Sequence, residues 1–169
     1  MGAHISDPDI QAVLDSIRRI VRALRLFDRR AERRFGLSGA QVFVLQKLGD
    51  GGAISINELA GRTHTHQSSV SVVVRKLVGR RLVRRSSSSK DARRVELSLT
   101  RRGRRLLRSA PPSAQDRLIA SLAAVSKARR RRLGALLTEL IRKTGIEREP
   151  PALFFEDQRR RRRREGKTK

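Results

Sequence analysis

The side chains best suited to chemistry on a ligand lie between Gln67 and Lys76. Glutamine can pair bidentately with adenine, serine can donate or accept a hydrogen bond, and valine can meet the methyl group of thymine. Arginine and lysine one helical turn further on suit backbone phosphates. These types favour contacts with duplex DNA, although they would also suit the solvated surface of an ordinary three-helix unit. The candidate residues are Gln67, Ser68, Ser69, Ser71, Val72, Arg75 and Lys76.

A second group of candidates lies in the strongly basic stretch that follows. Residues 75–108 hold 14 Lys and Arg against Asp91 and Glu96, which is about half of the net charge of +25 in a fifth of the 169 residues. Phosphates are the partner that such a concentration favours, because each neutralised phosphate releases condensed counterions. A plain surface salt bridge between Asp91 and Arg93, worth under about 1 kcal/mol, is the alternative. The candidates in this group are Lys90, Asp91, Arg93 and Arg94.

Other kinds of chemistry find little support in the sequence. Cysteine is absent, which excludes disulfides, thiolate metal sites and cysteine-based redox sensing. His64 and His66 have no third ligand beside them in sequence, so turn residues at a helix start are a better interpretation than a metal site. No nucleophile motif and no phosphate-cradling glycine loop is present. We therefore predict neither an enzyme nor a cofactor.

Two helices are predicted ahead of the first candidates. Apolar residues at spacings of three and four over residues 9–27 indicate a long amphipathic helix. Ser38 and Gln41 form a capping box that begins a second helix, which the glycine-rich run from Gly49 ends. The first helix cannot bury its apolar stripe by itself and must therefore pack against other helices.

The candidates at 67–76 are predicted to lie on the second helix of a helix-turn-helix. Ser55 and Glu58 form another capping box, opening a short helix that ends near Gly61. Thr65 is a predicted N-cap for the next helix, over residues 66–79. The inward stripe of this helix would consist of Val70, Val73, Val74 and Leu77.

The basic stretch is predicted to form a hairpin followed by a helix. Residues 82–85 and 93–99 read as two strands, with the serines and charged residues of 86–91 as the tip. Thr100 would cap a helix to Arg108, and further helices would start near Ser113 and extend over 126–144. This order predicts a mainly α fold with a small β wing, a winged helix-turn-helix flanked by dimerisation helices. The predicted divisions are an N-terminal helix (1–36), the winged domain (37–100), C-terminal helices (101–146) and a basic, disordered tail (147–169).

The segment Lys90–Thr100, KDARRVELSLT, resembles the wing of the MarR family of bacterial and archaeal transcriptional regulators. The resemblance covers about residues 37–103 at the level of motifs. It implies that Arg93 enters the minor groove and that Asp91 orients it, and a guanidinium is favoured in a narrow, electronegative minor groove. The matching positions are Asp91, Arg93, Leu97, Leu99, Thr100 and Gly103.

The same resemblance implies a small aromatic or amphipathic effector, bound between the dimer helices and the winged domain. Phe27, Phe35 and Phe43 are the candidates to line that crevice, and ordinary core packing is the alternative for all three. The flanking apolar stripes predict a homodimer, which would place two recognition helices about 34 Å apart on a pseudo-palindromic site.

We therefore expect a sequence-specific DNA-binding regulator, usually a repressor, in the cytoplasm and associated with the nucleoid. No apolar run approaches the length of a membrane span. A nucleoid-like protein of low sequence specificity and a basic adaptor for a membrane surface or an acidic protein are the alternatives. Arg129–Arg132 are either a solvated face or a second DNA contact, and the six arginines of Arg159–Arg164 would add phosphate affinity of no sequence preference.

Overall fold

The computed structural model describes residues 7–88, 93–146 and 153–154. Helices dominate it, and one small antiparallel sheet accompanies them, which confirms the predicted fold class. The elements are α1 (Pro8–Phe35), α2 (Gly39–Gly49), β1 (Ile54–Ser55), α3 (Ile56–Thr63), α4 (Gln67–Gly79), β2 (Val83–Ser87), β3 (Val95–Leu99), α5 (Arg101–Arg108), α6 (Ala114–Ala124) and α7 (Lys127–Thr144).

The sheet has three strands in the order β1-β3-β2, all antiparallel. Ile54 pairs with Leu97, and Val83 pairs with Leu99. The sequence predicted only the hairpin, because the two residues of β1 are too few to show an alternating pattern. By pairing β1 with β3, the sheet ties the start of the helix-turn-helix to the base of the wing.

One hydrophobic core is built from α2, α3, α4 and the inner side of the sheet. Phe43 and Leu45 of α2, Leu59 of α3 and Leu77 of α4 are all fully buried in it. Leu153 is also buried among these residues, whereas Phe154 is 47% exposed. Leu153 and Phe154 are the two described residues of the predicted tail, and the prediction that the tail is disordered from residue 147 stays a prediction. The rest of 147–152 and 155–169, including the six arginines, lies outside the described residues.

The ends of α1 and α2 are fixed by local hydrogen bonds. Ser38 and Gln41 form the predicted capping box, with the backbone N–H of Ser38 donating to the Gln41 side chain at 3.0 Å. α1 extends to Phe35 rather than stopping near Phe27, since Ala31 continues its buried side. Gly36 ends it at φ 63, in the left-handed region that suits glycine.

The two caps of the helix-turn-helix differ from the sequence prediction. Ser55 accepts a hydrogen bond from the backbone N–H of Glu58 at 3.2 Å, while the Glu58 carboxylate pairs with Arg62. His66 rather than Thr65 is the N-cap of α4, and it makes no side-chain capping bond. The Thr65 hydroxyl instead donates to the Thr63 carbonyl at 3.0 Å, so the turn consumes the side chain expected to cap the helix.

The turn that follows α4 is held tightly by α5. Arg81 has φ 57, a left-handed conformation that is costly for a residue with a Cβ. The Thr100 hydroxyl donates to the carbonyl of Arg81 at 2.8 Å and also accepts from the backbone N–H of Gly103 at 3.0 Å. A Cβ on Gly103 would overlap the carbonyl oxygen of Leu82. The Thr-x-x-Gly step at 100–103 is thus explained by a cap and a close backbone approach.

The flanking helices leave their apolar residues exposed in the single chain. α7 contains no buried residue, and α1 contains only Leu24, Asp28 and Ala31. Among the described residues, every helix is too short or too polar to cross a lipid bilayer. The exposed large apolar side chains of the two helices are Ile10, Val13, Leu14, Ile17, Ile20, Val21 and Leu26 on α1, and Leu133, Leu136, Leu137, Leu140 and Ile141 on α7.

Candidate nucleic-acid interface

α4 is fixed by its buried side, which orients the opposite side toward solvent. Its inward residues Val70, Val73, Val74 and Leu77 are at most 1% exposed, as the sequence predicted. Leu59 and Ala60 of α3 pack in the same core, and His64 closes the turn between the helices at φ 51. This arrangement gives α4 one rigid orientation relative to α3, as a helix entering a groove requires.

The outward side of α4 carries the residues expected to contact DNA. Gln67, Ser68 and Val72 are exposed, and Arg75 and Lys76 are exposed one turn later. The predicted face is thus present as a continuous surface on one helix.

Ser69 and Ser71 flank this surface and are half-buried. The Ser71 hydroxyl donates to the carbonyl of Gln67 at 2.8 Å, so its proton is already used within the helix. Its oxygen keeps capacity to accept a hydrogen bond.

The β2–β3 hairpin forms a wing beside this helix. Val83, Leu97 and Leu99 bury the base of the hairpin in the core. The ladder continues beyond the core, where Ser87 pairs with Val95, and the backbone N–H of Ser88 donates to the Arg94 carbonyl at 2.8 Å. The wing is therefore anchored at its base, and its two strands stay paired with each other as far as Ser88 and Arg94.

The outer end of the wing carries two of the four predicted contacts. Arg93 and Arg94 are exposed there. Arg84 is also exposed, on the neighbouring strand, where its Nε donates to the Ser98 hydroxyl at 2.9 Å. Lys90 and Asp91 lie outside the described residues, so the orienting role predicted for Asp91 stays a prediction.

The three phenylalanines predicted to line an effector crevice have different surroundings. Phe43 is fully buried in the core beneath the Lys47 ammonium, 5.5 Å from the ring centroid, as the alternative of ordinary core packing would have it. Phe27 is half-buried beside Gly39 at the start of α2. Only Phe35 of the three lines the surface groove described next.

This groove has a volume of about 430 Å³ and lies where α1, the end of α4 and α5 meet. Sequence reasoning missed it because its cations come from distant segments that only the fold brings together. Arg80 also donates a hydrogen bond from its guanidinium to the carbonyl of Gly36, joining the end of α4 to the end of α1. The lining residues are Phe35, Leu37, Gly79, Arg80, Arg81, Leu82, Arg102 and Leu106.

Among residues 7–88, 93–146 and 153–154, no three His, Asp or Glu side chains cluster as a metal site would require. His64 lies in the turn before α4 and His66 is its N-cap. The two histidines therefore occupy the turn positions that the sequence favoured for them.

A helix-turn-helix braced by a three-stranded sheet, with an arginine-bearing hairpin beside its second helix, defines a winged helix-turn-helix protein. Residues 37–95 match the model of the MarR family. This segment is the winged domain, and it is therefore similar to the MarR family of transcriptional regulators.

Similar proteins span different shares of this chain. The HTH-type transcriptional repressor MdtR of Bacillus subtilis (strain 168) is 35% identical over 68 residues, which is 40% of this chain and 44% of MdtR. The match thus spans less than half the length of that relative. The transcriptional regulator BldR from Sulfolobus solfataricus is 28% identical with a TM-score of 0.52, over 82% of this chain and 99% of BldR. Bordetella bronchiseptica BpsR is 26% identical with a TM-score of 0.53, over 83% of this chain and 97% of BpsR.

Proposed function

We propose that this protein is a sequence-specific regulator of transcription, a repressor that binds an operator in duplex DNA as a homodimer. The observation that carries the proposal is the orientation of α4. Its apolar side is buried to within 1%, so its small polar and cationic residues face outward beside the wing arginines. MdtR is itself a transcriptional repressor and is 35% identical to this chain over 68 residues. A protein with this function acts at the nucleoid, in the cytoplasm.

The proposed contacts divide into two kinds. Gln67, Ser68 and Val72 would read base edges in the major groove, and Arg93 would enter the minor groove. Arg75 and Lys76, further along α4, would bind phosphates and set the register without reading sequence. The remaining candidates, Ser69, Ser71, Lys90, Asp91 and Arg94, would support these contacts at the edges of the helix and the wing.

The proposed partner in the assembly is a second copy of this chain. A stripe of four leucines and Ile141 along α7 is 40–56% exposed in the single chain, as is much of the apolar stripe of α1. Apolar area of this size on two long helices favours burial in an interface. A two-fold dimer places its two recognition helices on successive major grooves, about 34 Å apart, so the operator is expected to be an inverted repeat.

The groove beside Phe35 is the proposed site of a small amphipathic effector. Its apolar side chains, Phe35, Leu37 and Leu106, would hold a ring or short chain, while Arg81 and Arg102 would favour an acidic group. DNA binding by BpsR is regulated by 6-hydroxynicotinic acid. Because the groove is bounded by the turn that ends α4, a ligand there would bear directly on the position of the recognition helix.

A selection of genomic fragments by the purified protein at about 150 mM salt, followed by footprinting, tests the proposal. The expected result is one inverted repeat with half-sites about one helical turn apart. Arg93→Ala should weaken that site by about 1–3 kcal/mol, whereas Lys127→Ala on α7 removes the same charge outside every proposed DNA contact and should change affinity little. Uniform recovery of all fragments would instead indicate a DNA-coating protein of low specificity. Absence of DNA binding by the wild type would favour the membrane or acidic-protein adaptor.

A further inference from the structure

The solvent side of α1 carries a row of arginines that the proposed operator contacts do not use. They recur at spacings of three and four, so they fall within roughly 80° of arc, away from the apolar stripe of the helix. All five are exposed. We call them the α1 ridge; its members are Arg18, Arg22, Arg25, Arg29 and Arg33.

The positive charges of the α1 ridge are not balanced by neighbouring carboxylates, as they ordinarily are on a solvated helix surface. Such surfaces alternate charges so that opposite signs lie three or four residues apart. Here Arg18 pairs with Asp15 at 2.8 Å, but the other four members make no ion pair with the residues that the structure describes. Of the two carboxylates over residues 18–34, Asp28 is buried and holds the N–H of Gly39, which leaves Glu32 as the exposed one.

This arrangement costs stability in the isolated protein. Like charges at spacings of four destabilise a helix by about 0.2–0.5 kcal/mol for each pair, and the ridge contains three such pairs. Every cation of α1 is arginine and none is lysine. Arginine is the side chain whose planar donors match phosphate geometry. The all-arginine composition of the α1 cations is therefore more typical of a surface that binds a polyanion than of a surface that is only solvated.

The ridge belongs to a different part of the fold from α4 and the wing. α1 packs against α2 and α6, whereas α4 packs against α2, α3 and β2. The ridge runs for about 22 Å along its helix, and a duplex of that length carries about 13 phosphates.

We infer that the α1 ridge is a second DNA-binding surface, through which the protein holds another duplex segment while the winged domain occupies its site. This inference rests on the proposed DNA-binding function and extends it to bridging of two duplexes. The contact would be to phosphates alone and therefore independent of sequence.

A two-duplex capture experiment with the full chain tests the inference. A biotinylated duplex of about 30 base pairs is immobilised, saturated with protein, and offered a fluorescent duplex at about 100 mM salt. The test variant is Arg22→Gln/Arg25→Gln/Arg29→Gln, which keeps good helix formers. The control variant is Arg117→Gln/Lys127→Gln/Lys143→Gln on α6 and α7, which removes the same charge from exposed positions outside residues 129–132. Binding of a single duplex is measured separately by fluorescence anisotropy.

The expected result is that the ridge variant captures at least tenfold less second duplex than the control, with single-duplex affinity within about twofold of the control. Equal capture by the two variants, or no capture by the wild type, would overturn the inference. Loss of capture together with an equal loss of single-duplex affinity would also overturn it, since the ridge would then belong to the same interface. Wild-type protein that binds no duplex at all would overturn the proposed function itself. Ridge-dependent binding to anionic vesicles, with DNA capture unchanged, would assign the surface to lipid and refute bridging.

Discussion

The winged domain and the helices that flank it bury their apolar residues to very different extents. Eight of the 11 residues of α2 are buried, whereas none of the 18 residues of α7 is. A helix gains most of its stability from packing an apolar face, so α2 is stabilised within one chain and α7 is not. The difference teaches that the winged domain packs its apolar residues within one chain, while the flanking helices would gain their burial in the proposed dimer, at a protein concentration that supports it.

The largest expected effect comes from breaking the core of the winged domain. Phe43→Ala should lower the free energy of unfolding by about 3–5 kcal/mol, because it removes a fully buried ring from a packed site. Denaturant unfolding measures the change. Phe154→Ala is the control, since that ring is 47% exposed and its removal should cost much less. Equal losses for the two variants would show that the core is not where the structure has it.

Substitutions in the apolar stripes of the flanking helices should weaken dimer formation and leave the core of the winged domain intact. Leu137→Glu with Leu140→Glu places charges in the exposed α7 stripe and should weaken the proposed dimer by at least about 3 kcal/mol, more than a hundredfold in Kd. Sedimentation velocity across a concentration series measures this. Lys127→Glu with Arg131→Glu also adds two carboxylates to α7 but away from the stripe, and should leave the dimer intact. A dimer that survives the leucine changes would contradict the proposed interface.

Two glycines, one in each region, sharpen the comparison. Gly103→Ala should destabilise by about 1–3 kcal/mol, because its Cβ would press on the Leu82 carbonyl and displace α5 from the turn that follows α4. The Cβ of Gly134→Ala would meet no atom within 4 Å among the described residues outside its own helical turn, and the change should stabilise α7 by up to about 1 kcal/mol. Thermal unfolding should show a lower melting temperature for Gly103→Ala and a higher one for Gly134→Ala. A destabilising Gly134→Ala would indicate that the partner chain packs closely against that position.

The smallest expected effect concerns Asp28, which joins the flanking helix α1 to the start of α2 in the winged domain. Burial raises the pKa of Asp28 above its ordinary value of 3.8, although the Gly39 N–H that it accepts at 2.6 Å acts in the opposite direction. The folded protein therefore binds this proton more tightly than the unfolded chain, so the contribution of Asp28 to stability is complete below pH 3.8 and is lost as pH rises through the folded pKa. Asp28→Asn keeps an acceptor for Gly39 and has no such loss. Relative to the wild type, the variant should gain stability between acidic and neutral pH, and parallel stability curves would refute the role of burial.

The features that depend on local sequence patterns could be predicted, whereas those that depend on contacts between distant residues could not. The buried stripe of α4, the Ser38 capping box and the fold class follow from periodicity and capping chemistry. The two-residue strand β1 is visible only through its pairing with β3, and the burial of Leu153 depends on a tertiary contact far along the chain. Thr65 was expected to cap α4 because its residue type suits that role, but the turn uses its hydroxyl first.

The candidate interface divides in the same way. The outward residues of α4 follow from a helical wheel, so sequence reasoning named them. The groove beside Phe35 draws residues from three separate segments, and no spacing within the chain reveals it. Residue type alone does not separate a ligand contact from core packing at Phe43, and its full burial is a tertiary property that the sequence does not reveal.

The length of α1 gives the bond between Arg80 and Gly36 a mechanical meaning. Its 28 residues make a rod of about 42 Å whose far end would lie in the proposed dimer and whose near end is tied to the recognition helix. A tilt of about 5° about the far end would displace the near end by about 4 Å, more than the 3.4 Å step between base pairs. In the proposed dimer this rod would act as a lever, and a change of a few degrees in its angle would shift the two recognition helices relative to successive major grooves.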